Sequence, residues 1–365
     1  MILRACVAAL AALLLAGCGA SGIPGPNAAA GVAAPAIALT PALNSAQIVH
    51  LTATTPGAAI YYTLDGTQPS ASSPQYRAPF LLTASATITA IAIVGVQASA
   101  AASQKVTLSI PSGTLVWADD FANATGANAQ PDPSIWTYDT GSGGWGNQEL
   151  ETYCAWNSSA APCDPAQPNA YVGTDHTLHI VARETAPGVY TSARLKSQGL
   201  FSFQYGRVEA RMLLPEGQGL WPAFWLLGND IPGVGWPACG EQDVMEHINL
   251  PSPDWIAGSL HGPSANLSQK YYFPSGQSPA GWHVYGMIWS PAKIQYYVDS
   301  PANVYATFTP DSLAGQANAV WPFDHGDGAF LLLNLAVGGN WPGSPNSTTP
   351  FPASVLVSYV HIYTN

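Results

Sequence analysis

Charge is scarce in this sequence. Only 8% of its 365 residues are charged, and Lys and Arg number 10 against 21 Asp and Glu, a formal net charge of −11. That balance excludes nucleic acid as a partner held through its phosphates, and it leaves no polybasic segment for an anionic lipid surface. Long apolar runs are missing too: Val7 to Leu15 is too short to cross a bilayer as a helix. Cysteine occurs five times, and tryptophan is missing from the first 116 residues although twelve follow. Gly, at 35, and Pro, at 32, punctuate a chain of many turns and short strands. The length suffices for one large β domain and a smaller one.

Arg4 and the apolar run after it read as an export signal over residues 1–17. Leu15-Ala16-Gly17-Cys18 has the small residues and the Cys that lipoprotein processing needs. Cys18 is therefore expected to carry lipid, with an ordinary signal peptide and an incidental Cys as the alternative. The expectation is an exported, monomeric chain, anchored by lipid to a bacterial membrane or cell surface. Residues 18–36, mostly Ala, Gly and Pro, read as a flexible tether. Residues 37–110 read as a compact β module, with a strand from Ala59 to Leu64, a tight turn at Asp65-Gly66 and an alternating strand from Ala86. A spacer role is expected for it, with sugar binding through Tyr61, Tyr62 or Tyr76 as the alternative. Residues 114–365 form the large domain, expected to fold alone. In an exported chain Cys154 and Cys163, nine apart, are expected to form a disulfide, which contributes about 2–3 kcal/mol on the chain-entropy view. Cys239 reads as a small buried hydrophobe.

Three of the few acids fall within six residues, in Gly240-Glu241-Gln242-Asp243-Val244-Met245-Glu246-His247. The composition favours a strand. On a strand Glu241 and Asp243 share a face, and strict alternation puts Met245 there and turns Glu246 away. One extra residue, with Met245 the natural candidate, returns Glu246 to that face. Two carboxyls facing one cleft suit glycoside hydrolysis, one attacking as the anion and the other delivering a proton. A third acid between them raises a neighbour's pKa by like-charge repulsion. A calcium-binding cluster and a solvated acidic strand are the alternatives for the isolated pattern.

The flanks decide between these. Tyr205 to Arg211 (YGRVEAR), Gly219 to Trp225 (GLWPAFW) and Gly235 to Gly240 (GWPACG) precede the acids, and Trp145 to Leu150 (WGNQEL) lies further upstream. Together they resemble glycoside hydrolase family 16, most of all its bacterial endo-β-1,3-glucanases (laminarinases), from about Leu115 to the C-terminus. The run Tyr61 to Ser70, with Ser73 to Tyr76, resembles the C-terminal β-sandwich of chitobiases and hexosaminidases. The family resemblance implies an all-β fold, a concanavalin-like jelly-roll sandwich with a curved cleft. It implies Glu241 as nucleophile, Glu246 as acid/base and Asp243 as their assistant, acting on β-glucan. It places Asn147 on a donor-side sugar, with a turn residue as the alternative. Arg194 goes to the cleft near the donor sugars, with a salt bridge as the alternative. Trp221, Trp225 and Trp236 become candidates to line the cleft, some of them core instead. His261 is placed near the leaving group, with a structural His as the alternative. Arg194 and Lys196 are expected on one face of a single strand running from Tyr190.

Two residues depart from the family pattern. Gln242 stands where an aliphatic residue is common, and it faces the sandwich core, where it needs a partner or costs free energy. Ser358 stands where the family often has an Asp that ligates a structural calcium, so that metal loses a carboxylate. The expected chemistry requires no cofactor. Within the enzymes, a mixed-linkage glucanase, another family-16 hydrolase or a transglycosylase is the alternative. From another class, the alternative is a glucan-binding surface lipoprotein without activity.

Overall fold

The computed structural model describes residues 31–365 except 123, 251 and 325. The export signal, Cys18 and most of the tether lie outside the described residues. No helix among the described residues is long and apolar enough to cross a membrane.

The large domain is a sandwich of two β-sheets. One has seven antiparallel strands, in the spatial order Ala265–Tyr272, Trp255–Gly262, Glu241–Glu246, Leu220–Gly228, Ala329–Val337, Arg194–Lys196 and Thr137–Asp139. The other has ten, built around Gly206–Leu213, Leu178–Ala186 and Ala353–Tyr363. Period-two alternation makes the core. Leu220, Phe224, Leu226, Leu331, Leu333 and Leu335 from the first sheet meet Ile180, Val208, Met212, Met287, Tyr296 and Val355 from the second in one apolar cluster. Trp221, Ala223 and Trp225 alternate with the core residues and stand on the outer face, so the acid-bearing strand lies third in a sheet whose outer face is free to form a cleft.

The expected strand from Tyr190 to Lys196 is two strands in two sheets. Val189–Ser192 belongs to the ten-stranded sheet and Arg194–Lys196 to the seven-stranded one. Ala193, fully buried, is the crossing point. Ser192 Oγ donates to Leu335 O at 2.5 Å as the chain changes sheets. A period-two reading cannot see this, because alternation continues through the crossing. Cys154 and Cys163 form a disulfide.

The small module has a three-stranded sheet (Ala36–Pro41, Gln47–Thr52, Phe80–Leu82) and a four-stranded one around Ala86–Val94. Val49, Leu51, Ile60, Tyr62, Phe80 and Ile88 fill it. Tyr62 and Tyr76 pack on Phe80, with ring centroids 5.0 and 6.4 Å away, so both serve packing. The module is docked on the large domain. Leu81 N donates to Ser202 O and Ser202 N to Pro79 O, both at 2.9 Å, Tyr62 OH donates to Gly326 O at 3.1 Å, and Asn44 Nδ2 donates to Leu115 O at 2.8 Å. A freely swinging spacer would have none of these bonds.

Candidate active site

The acid-bearing strand is bulged. Against Leu220–Gly228, Trp225 pairs with Asp243 and Phe224 with Met245, which skips Val244. Against Trp255–Gly262, Asp243 pairs with Ser259 and Glu246 with Ala257, so Gly258 alone faces both Val244 and Met245. Both side chains enter the core, at 1% and 0% exposure. The residue that slips out of register on the Leu220–Gly228 side is thus Val244, where the sequence suggested Met245. Two consecutive inward residues reset the phase, and Glu246 returns to the face of Glu241 and Asp243. Gly258 is needed opposite the bulge: a Cβ there would stand 2.6 Å from the Tyr296 ring and 2.5 Å from the Tyr305 hydroxyl.

Each acid is placed by named partners. Trp236 Nε1 donates to Glu241 Oε2 at 2.7 Å. Trp221 Nε1 donates to Glu246 Oε1 at 3.2 Å, and Ser259 Oγ donates to Glu246 Oε2 at 3.1 Å. Asp243 is buried, with His261 Nε2 at 3.2 Å from its Oδ2. Burial first, then the negative charge of Glu241 and the hydrogen bond between the two carboxyls, push the Asp243 pKa well above the usual carboxylate range. Burial first, then the charges of Asp243 and Glu241, do the same to Glu246; His261 and the Ser259 hydroxyl oppose the rise. Gln242 faces the core as expected, and its Oε1 is buried without a hydrogen-bond partner.

A second group lies across the sheet. Arg194 pairs with Asp139 at 3.0 Å, and its guanidinium lies over the Trp225 ring at 4.5 Å and the Trp145 ring at 5.3 Å. It thus makes the salt bridge while remaining over two indoles. Trp225 Nε1 donates to Asn334 Oδ1 at 2.8 Å, and Asn334 Nδ2 donates to Tyr153 OH at 3.2 Å. Tyr153 OH donates to Glu149 Oε2 at 2.9 Å, and Asn147 Nδ2 donates to Glu149 Oε1 at 3.1 Å. Asn147 and Arg194 therefore belong to one connected group, closed by the cation–π contact of Arg194 with Trp225. Trp221, Trp236 and His261 belong with the acids.

Sequence reasoning passed over Ser259, Asn334, Glu149 and Asp139. Two of them left a signal. Ser259 stands two before His261 and so shares its face. Asn334 is the polar residue in the apolar run from Leu331 to Val337. Asp139 is joined to Arg194 only by tertiary pairing of strands far apart in the chain.

Among the described residues, the grouping of acids and His whose donor atoms lie within 4.8 Å is Glu241, Asp243 and His261. It coincides with the cleft acids. At Ser358 the donor is a hydroxyl on a strand residue that falls between Arg211↔Tyr359 and Met212↔Val357, at a register shift. That donor does not fit a cation that prefers carboxylates. Cys239 is buried beside Leu227, Phe330 and Leu332, and burial, with Asp230 and Glu241 adding to it, pushes its thiol up to about 12. It is no nucleophile.

Comparison with known proteins agrees with this geometry. Residues 157–350 match Glycosyl hydrolases family 16, and residues 40–110 match the Chitobiase/beta-hexosaminidase C-terminal domain. The chain is 36% identical over 265 residues to a beta-glucanase of Rhodothermus marinus, covering 69% of this chain and 86% of that protein. It is similar in structure to the endo-beta-1,3-glucanase of Pyrococcus furiosus, with TM-score 0.59, 39% identity, and coverage of 69% of this chain and 94% of that one. The laminarinase catalytic domain of Thermotoga maritima gives TM-score 0.59 and 36% identity, covering 70% of this chain and 99% of that one. With a bulged strand that gathers three carboxyls under two indole donors, and with these matches, the chain belongs to glycosyl hydrolase family 16 and is a glycoside hydrolase.

Proposed function

We propose that this enzyme hydrolyses internal β-1,3-glucosidic bonds of laminarin-type β-glucan with retention of configuration. The observation that carries the reaction type is the bulge, which sets a proton-holding carboxyl, Glu246, on the face of Glu241. The linkage rests on the names of relatives, two of which give β-1,3-glucan as what they cut and one of which is a laminarinase.

The steps follow from the environments. Glu241, oriented by the Trp236 N–H, attacks the anomeric carbon and forms a glycosyl-enzyme ester. Glu246, kept protonated by burial and by the negative charge of Glu241, gives its proton to the departing glucosyl oxygen. It then takes a proton from water, which attacks the ester and frees Glu241. Asp243 keeps its own proton and donates to Glu241, which orients that carboxyl. No step calls on a cofactor. The indole faces of Trp221, of Trp236 and of Trp341, whose ring stands edge-on to Trp221 with centroids 5.2 Å apart and is partly exposed, offer flat apolar surface for sugar rings. The donor-side sugars would run toward Arg194 and Asn147.

We also propose that the enzyme acts at a membrane or cell surface as a monomer, held by lipid on Cys18. The support is the run Leu15-Ala16-Gly17-Cys18 after a short apolar segment.

Three outcomes check these readings. Incubated with laminarin, lichenan, agarose and xyloglucan, the enzyme should release reducing ends fastest from laminarin. Proton NMR should show each new end as the β-anomer before mutarotation; the α-anomer first, or lichenan cut with laminarin untouched, contradicts the reading. The pH profile tests Glu246. Activity should fall as pH rises through its elevated pKa, because the acid then loses its proton. Ser259→Ala removes a donor that favours the charged form, so the alkaline limb of kcat/KM should move up by about one pH unit. A downward movement refutes the acid role. For the anchor, wild type should enter the detergent phase on partitioning and Cys18→Ala should stay in water; equal partitioning refutes it.

A further inference from the structure

The N-terminal module reaches the nucleophile through the loop that carries Trp236. Trp236 is 60% exposed, so packing does not hold its ring where the N–H meets Glu241. Residues 230–239 do. Gly235 N donates to Ile231 O at 2.9 Å, Cys239 N to Gly235 O at 3.0 Å and Gly240 N to Pro237 O at 3.1 Å. Cys239 and Ile231 seat this loop on Leu227, Phe330 and Leu332.

From outside, the same loop meets the module. One terminal nitrogen of Arg77 lies 3.2 Å from where a Cβ on Gly233 would stand. That nitrogen also donates to Gln75 Oε1 at 2.7 Å. Gln75 N donates to Asp327 Oδ1 at 3.3 Å, and Pro74 Cγ sits 2.5 Å from the Cβ position of Gly326. Residues 326–328 in turn hold Asn229, which leads into the Trp236 loop. Asn229 Nδ2 donates to Asp327 O and Asn229 N to Gly328 O, both at 3.0 Å. Two paths thus run from Pro74, Gln75 and Arg77 to the loop, one direct and one through residues 326–328.

We propose that the module is a brace for the cleft, with Arg77 as a positioning residue that sets the Trp236 loop and so the hydrogen bond to Glu241. A donor aligned in advance costs no reorganisation during the reaction, and a small misplacement of such a group lowers the rate. Arg77 touches no substrate. The inference rests on the role given to Glu241.

The test uses the full chain with Arg77→Ala, Arg77→Lys, Trp236→Phe and the Arg77→Ala/Trp236→Phe double variant. Arg77→Ala should lower kcat on laminarin about tenfold, and Arg77→Lys should restore part of the loss. The double variant should be no slower than Trp236→Phe alone, because Arg77 acts through that indole. The Trp236 indole N–H resonance, one of twelve, is identified by its loss in Trp236→Phe, and it should shift in Arg77→Ala. An unmoved resonance, unchanged kcat or losses that multiply in the double variant overturn the brace. The indole readout does not depend on turnover, so it decides the brace even where laminarin proves to be the wrong substrate.

Discussion

Two neighbouring side chains in one strand, Val244 and Met245, both point into the sandwich core, and the cleft depends on that irregularity. Plain alternation already turns Val244 inward, so the bulge adds the burial of Met245 and takes Glu246 out of the core. At about 0.8 kcal/mol per buried CH2, burying the Met245 side chain outweighs the loss of ladder hydrogen bonding at one unpaired residue, worth about 1 kcal/mol net. Packing in the core thereby decides which way Glu246 faces. Gly258 lets the neighbouring strand accept the bulge, because Tyr296 and Tyr305 occupy the space that any side chain there would need.

Electrostatics then divides labour among three like groups. Each lies on the same face, so the differences arise from partners and depth. Asp243 and Glu246 are pushed toward the protonated form first by burial, and the negative charge of Glu241 adds to both. Glu241 has an indole N–H on one oxygen. A set of carboxyls pushed apart in this way supplies one acid and one nucleophile from chemically equivalent side chains. Across the sheet, the run from Asn147 through Glu149, Tyr153, Asn334 and Trp225 to Arg194 fixes side chains from four strands and loops by hydrogen bonds and a cation–π contact. The pairing of Arg194 with Asp139 orients the guanidinium over Trp225.

Much of this was legible in the sequence, and the rest was hidden for identifiable reasons. Strand alternation exposed the mismatch at Met245, which demands a bulge, but alternation counts residues and cannot say which neighbour loses its partner. The structure assigns the skip to Val244 on one side and shares it between Val244 and Met245 on the other. The crossing at Ala193 was invisible because both flanking strands keep the same period. Asp139 joins the site only through pairing with a strand far away in the chain, which no local pattern reports. The docking of the small module was hidden for a different reason. Its contacts use backbone groups, that of Gln75 among them, and the side chains of Asn44, Tyr62, Pro74 and Arg77, residues with no marked pattern until the partner surface is in place.

Chemical rescue separates the two roles proposed for Glu241 and Glu246 on the bulged face. With an activated aryl β-glycoside of laminaribiose and sodium azide, removing each carboxyl leaves a hole on a known side of the sugar. Glu241→Ala should be rescued to give the α-glycosyl azide, since azide replaces the nucleophile. Glu246→Ala should give the β-glycosyl azide, since azide then attacks the glycosyl-enzyme ester. The same anomer from both variants, or the two outcomes exchanged, would contradict the account.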